Sequence, residues 1–187
     1  MKKSTIILYI AIITLLIFPL ISATPRENAT RQYIPRQVDE IYVSLNDFKL
    51  LSMNNGRVVS RYPISTGVDT APTPRGEFEI INKLEHPWYT PPDEEAKAPG
   101  PDNPLGSRWM GINKPSYGIH GTKEPEKIGS PASDGCIRLY NRHVELLYDR
   151  VKPGTKVIIK EELPEQLVQE DPLVTPPDPI LADSGEQ

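Results

Sequence analysis

The chain carries a single thiol. Cys136 is the only cysteine among 187 residues, and it lies in the run Ser133-Asp134-Gly135-Cys136-Ile137-Arg138-Leu139, downstream of Ile119-His120-Gly121-Thr122. A free thiol with pKa near ~8.5 is only about a few per cent thiolate at neutral pH, so a cysteine that attacks a carbonyl needs help. An imidazole beside it takes its proton or pairs with the thiolate, and such general-base assistance is worth about 10²–10⁴ in rate. Gly135 leaves the backbone beside the sulfur uncluttered. A tight turn there aims the amides of Gly135 and Cys136 at a developing oxyanion, an effect worth roughly 10²–10³. Arg138 sets a permanent cation two residues from the sulfur, where it steadies a substrate carboxylate or lowers the thiol pKa. Each residue also has a plainer reading. A lone cysteine is usually a small buried hydrophobe, a lone histidine a hydrogen-bonded structural group, Arg138 a solvated surface cation, Gly135 a turn residue and Ser133 a local backbone cap. Composition and spacing by themselves leave both readings open.

These residues need a scaffold, and the surrounding pattern is that of strands. Ile41, Val43 and Leu45 alternate with Tyr42 and Ser44, the mark of a half-buried strand. A second strand over 49–53 meets a third over 57–65 through Asn55-Gly56, which supplies the left-handed positions of a tight hairpin. Further strands are expected at 77–82, 109–112, 117–119 and 155–160. One helix stands out: Asn141 is placed to cap it, and Val144, Leu147, Tyr148 and Val151 share a face. Many short strands with one short helix after the cysteine loop predict a mainly β domain, a mixed β-sandwich or closed sheet. Residues 85–105 interrupt this pattern with prolines, acids and Trp88-Tyr89; so long and punctuated a connection predicts a functional lid or binding loop.

The ends differ from this core. Lys2 and Lys3 precede an apolar stretch from Ile6 to Leu20 that closes on small residues, so 1–23 is expected to be a signal peptide or N-terminal membrane anchor. Residues 24–38 read as a linker, 39–160 as the domain and 161–187 as a disordered, acidic, Pro-rich tail. An exported domain with one cysteine builds no internal disulfide, and no cysteine follows the signal for lipid attachment. The net charge of -4 gives no reason to expect nucleic acid as partner.

The segment from His120 to Leu139 resembles the signature of the L,D-transpeptidase (YkuD-like) catalytic domain: His-Gly-Thr, six residues, Gly129, three residues, Ser133, then x-Gly-Cys-Ile-Arg-Leu. Ser65-Thr66-Gly67, Thr73-Pro74-Arg75-Gly76-Glu77-Phe78, Asn103-Pro104-Leu105-Gly106 and Arg108-Trp109-Met110-Gly111 resemble the family's earlier elements, so the likeness runs over about 39–160. The resemblance implies Cys136 as nucleophile, His120 as base, and Gly121 as the residue whose carbonyl holds the imidazole. It implies Ser133, Gly135 and Arg138 as fixed positions of the site and Tyr117 as a pocket residue. It further implies an extracytoplasmic acyl transfer on peptidoglycan tetrapeptide stems, in which a thioester forms on Cys136 at the L-centre of the diamino acid and D-alanine leaves. The acyl group then passes to an amine acceptor, a second stem or an anchored protein, with no metal and no organic cofactor. Two alternatives stand beside it: water resolving the same thioester, as in an L,D-carboxypeptidase or wall hydrolase, and a non-catalytic peptidoglycan-binding module. One departure is visible. Many members carry His before the Gly-Cys pair where this chain has Asp134, and an acid facing the sulfur raises the thiol pKa.

Overall fold

The computed structural model of the chain describes residues 37–91 and 95–168. They form strands β1 (Glu40–Ser44), β2 (Lys49–Asn54), β3 (Arg57–Pro63), β4 (Thr66–Gly67), β5 (Gly76–Glu85), β6 (Arg108–Ile112), β7 (Gly118–His120), β8 (Pro131–Ser133) and β9 (Ile137–Arg138). Helix α1 (Asn141–Tyr148), strand β10 (Lys156–Lys160) and the one-turn helix α2 (Glu165–Val168) follow. Asn55 and Gly56 both take positive φ, 49° and 72°, as the tight β2–β3 turn requires.

Eight strands make one mixed sheet in the order β3-β2-β1-β10-β5-β6-β7-β9. Its curl comes from β5. The first half of β5 pairs with β10, from Gly76↔Ile159 to Glu79↔Lys156, and its second half pairs with β6 out to Glu85↔Arg108. A register shift between Ile80 and Asn82 separates the two halves, and an irregularity of that kind bends a strand and sharpens its twist. The ends of the sheet then meet. Just past β3, Ser65 exchanges both backbone hydrogen bonds with Arg138 of β9, at 2.9 and 3.0 Å. The expected mainly β, closed sheet is therefore what forms, with α1 packed on it through the fully buried Val144 and Leu147.

Three local expectations change. The strand predicted as half-buried is covered on both faces: Ile41 and Val43 join the main core, while Tyr42 joins Leu51 and Met53 in a second cluster on the outer face. That cluster is completed by Val58, Ile158, Leu163 and Leu167. The last two belong to the stretch expected to be a disordered tail. Their spacing puts both side chains on one side of the turn around α2, and this was hidden among prolines and acids. Arg61 donates to the Leu167 carbonyl at 3.4 Å, and Arg75 pairs with Glu161, so the folded unit continues to residue 168. At the other end Val38, placed in the linker, is fully buried and its amide bonds the Arg150 carbonyl at 2.9 Å. The third change concerns Asn141, which does not cap α1; the cap position is Tyr140, without a side-chain bond. The predicted signal at 1–23, most of the linker and residues 169–187 lie outside the described residues.

Candidate active site

Strand pairing assembles the site. In the sheet β7 lies between β6 and β9, with Trp109 opposite His120 on one side and Arg138 opposite it on the other. Residues directly opposite one another point to the same face, so the indole, imidazole and guanidinium emerge together. Cys136, one residue before β9, joins them. All four line a cavity of about 570 Å³. The Trp109 ring stacks on the imidazole with centroids 5.7 Å apart and planes 25° from parallel.

His120 is 3% exposed, and its Nδ1 lies 2.7 Å from the Gly121 carbonyl oxygen. A carbonyl only accepts, so Nδ1 carries the hydrogen and Nε2 keeps its lone pair for a substrate or thiol proton. The Cys136 thiol donates to the carbonyl of Ser116 at 3.5 Å, and the amide of Gly118 faces the sulfur, where it favours thiolate. Ser116 has φ of 67°, unusual for a residue with a side chain, at the turn that brings its carbonyl to the sulfur. Ser133 fastens the loop from beneath: its hydroxyl donates to the Cys136 carbonyl at 2.5 Å and accepts from the Gly135 amide at 3.2 Å. The Gly135 amide, expected at the oxyanion, is thus engaged with Ser133. Gly135 has another duty. Its φ is 102°, and a Cβ there would come within 2.6 Å of the Tyr117 ring, so only glycine fits between that ring and the nucleophile.

Electrostatics set a neutral pair at rest. Burial, then the Arg138 charge, lowers the His120 pKa to about 4, against smaller opposing contributions from the carbonyls of Gly121 and Leu105. Burial also raises the Cys136 thiol, assisted by Asp134, and outweighs the Gly118 amide and Arg138, which favour thiolate. The direction anticipated for Asp134 is therefore present as a minor contribution, and Arg138 pulls the thiol down without winning. Arg138 Nη1 lies 3.3 Å from Glu124 Oε2, while its Nε is buried and has no hydrogen-bond partner among the described residues.

The loop expected to act as a lid forms one wall of the cavity. From it Pro87, Trp88, Tyr89, Pro104 and Leu105 line the cavity beside Leu84 of β5, and Trp88 is 62% exposed at the rim. Asn103 ties this wall together from a position 1% exposed. Its amide donates to the carbonyls of Pro87 (2.9 Å), Ala98 (3.1 Å) and Lys97 (3.3 Å), and its Oδ1 accepts from the Leu105 amide at 2.9 Å.

A family model for the YkuD L,D-transpeptidase catalytic domain matches residues 39–159, the segment that folds into this closed sheet. The chain belongs to that family. The YkuD protein of Bacillus licheniformis, which bears the L,D-transpeptidase name, is 41% identical over 119 residues, 64% of each chain. The YqjB protein of Bacillus subtilis, likewise named, is 35% identical over 127 residues, 65% of this chain and 71% of that one. The chain thus spans about two thirds of the length of these relatives. Among solved structures, the catalytic domain of an Enterococcus faecium L,D-transpeptidase superposes with TM-score 0.54 at 26% identity, covering 65% of this chain and 96% of that one. A cysteine variant of an Enterococcus faecium L,D-transpeptidase gives TM-score 0.57 at 25% identity, over 67% of this chain and 50% of that one.

Of the L,D-transpeptidase positions expected from sequence, His120, Cys136, Arg138 and Ser133 line the cavity. Gly121 acts from behind through its carbonyl, and Gly135 shapes the loop. Tyr117 does not line the cavity; it packs behind Gly135 against the core, and its neighbour Ser116 takes the cavity position. Sequence reading missed Ser116, Trp109 as the stacking partner, and Asn103. The antiparallel β6–β7 pairing sets Trp109 opposite His120, a register that the strand ranges alone do not fix.

Proposed function

We propose that this chain is an extracytoplasmic cysteine acyltransferase that acts on peptidoglycan stem peptides. The observation that carries it is the shared cavity of Cys136 and a His120 whose Nδ1 is held by Gly121, leaving Nε2 as the free base. Nε2 takes the thiol proton as Sγ attacks the carbonyl at the L-centre of the third, diamino-acid residue of a tetrapeptide. The tetrahedral intermediate collapses as the imidazolium returns that proton to the departing D-alanine amine, leaving a thioester. An acceptor amine enters on the same side, gives its proton to Nε2 and displaces the thiolate, which is reprotonated. Arg138, a permanent cation at the cavity wall, suits a stem carboxylate. The export expected of 1–23 would bring the site to that substrate, and this part of the proposal rests on sequence alone.

The test is intact mass and product analysis of the full chain with a tetrapeptide stem and an amine acceptor. Cross-linked product with D-alanine release, absent in Cys136→Ala, supports transfer to an amine. Tripeptide alone assigns water as acceptor. Wild-type protein that neither turns over nor is acylated would leave a binding module and sink the enzyme reading.

A further inference from the structure

Beside the site stands an asparagine whose bonds run away from its own helix. Asn141 opens α1, where an asparagine ordinarily bonds the free amides of the first turn. Here it makes no cap bond. Its Oδ1 accepts from the Thr122 amide at 3.1 Å and its Nδ2 donates to the Thr122 carbonyl at 2.9 Å. One side-chain amide thus pairs with both backbone groups of a single residue, as a neighbouring strand would. The same Oδ1 lies 3.3 Å from the Ser107 amide. It also sits so close to Gly121 and Gly106 that a Cβ on either would overlap it.

These contacts matter because of what the two gripped segments hold. Thr122 follows Gly121, whose carbonyl fixes the His120 tautomer at 2.7 Å. Ser107 lies two residues after Leu105, whose carbonyl also faces the imidazole. β7 ends at His120, and one further backbone bond, from the Gly121 amide to the Arg108 carbonyl at 3.2 Å, follows it before the ladder stops. The side-chain amide of Asn141 continues the pairing one residue further, at Thr122.

We propose that Asn141 is a positioning residue for the acyl-transfer base, acting through Thr122 and Ser107 to hold the Gly121 and Leu105 carbonyls around His120. The inference rests on the acyltransferase reading, and its test separates the two.

The full chain and its Asn141→Ala and Asn141→Asp variants are reacted with imipenem as an acylating probe, with rates counted per folded molecule, and the His120 ring is titrated by NMR. A base displaced by a fraction of an ångström loses about 10–10² in rate. Asn141→Ala should therefore lower the saturating acylation rate by about 10–10² with little change in half-saturating concentration. The His120 midpoint should rise from about 4 toward 6.5 as water reaches the ring. Asn141→Asp keeps the acceptor and loses the donor to Thr122, so its rate should fall between the other two. If Asn141→Ala does not fold, a lowered rate in folded Asn141→Asp supports the proposal in its place. A folded variant with wild-type rate and wild-type midpoint would overturn the proposal. Wild-type protein that resists acylation would instead sink the acyltransferase reading, while the ring titration still decides whether Asn141 holds His120.

Discussion

The buried imidazole makes a quantitative demand on stability. In the folded chain His120 is neutral down to about pH 4, whereas an unfolded histidine takes up a proton near 6.5. As pH falls from 6.5 to 4 the unfolded state therefore binds more protons than the folded state, and folding stability drops. Above 6.5 both forms are neutral and nothing is lost; below about 4 both are charged and the loss stops growing. At about 1.4 kcal/mol per pH unit, that window corresponds to about 3 kcal/mol. For a domain whose whole stability is on the order of 5–15 kcal/mol, this is a large fraction. The side chain is 3% exposed, so solvent screening removes little of it.

The assay is urea unfolding of the full chain and of His120→Gln at several pH values between 7.5 and 4. Other groups titrate in the same range, His143 among them, whose pKa is also lowered by burial. Their contributions are common to both proteins and cancel in the difference. Relative to His120→Gln, the wild type should lose about 3 kcal/mol across the window, nearly all of it between pH 6.5 and 4. Two stability curves that stay parallel throughout that window would refute the argument from burial.

Three further outcomes follow from the same geometry. Because the resting pair is neutral, the acylation rate should hold steady well below pH 6.5 and fall only as His120 protonates toward about 4, with the alkaline limb above the ordinary thiol value; a limb at 6.5 in a stopped-flow pH profile would contradict this. Gly135→Ala should destabilise by about 1–3 kcal/mol in thermal or urea unfolding and slow acylation, since φ of 102° and the Tyr117 ring at 2.6 Å both oppose a Cβ. Asn103→Ala should cost about 1–3 kcal/mol through carbonyls left unpaired, and should raise the half-saturating probe concentration and the share of hydrolysed product, read by mass spectrometry, because it loosens the cavity wall.

The strands that were legible in the sequence are those where period and turn chemistry agree, such as 49–53 and 57–65 around Asn55-Gly56 or the β-branched run of β10. Cys136 and His120 were legible as types at a spacing, and their neighbours as a motif. What escaped were contacts made across the fold. Alternation along β1 reported one apolar face, because the partners of the other face, Leu163 and Leu167, lie more than a hundred residues away in an acidic stretch. Local rules make Asn141 a helix cap, whereas its bonds run to Thr122 and Ser107. A polar side chain satisfies whichever backbone groups the tertiary fold leaves open, and neither spacing nor propensity encodes which those are.

The two opposed pKa directions share one moderator. Arg138 lowers the base and favours the thiolate, so its charge makes proton transfer from sulfur to imidazole harder at the receiving end and easier at the giving end. The first effect weakens the base; the second stabilises the nucleophile. Burial acts against charge on both partners, favouring the protonated thiol and the neutral imidazole. A substrate carboxylate seated on Arg138 would offset its cation. The imidazole would then regain basicity while the thiol loses the same assistance, so the two effects oppose one another. Arg138 thus acts on both partners at once, from a backbone that closes the sheet on Ser65 and a side chain braced by Glu124.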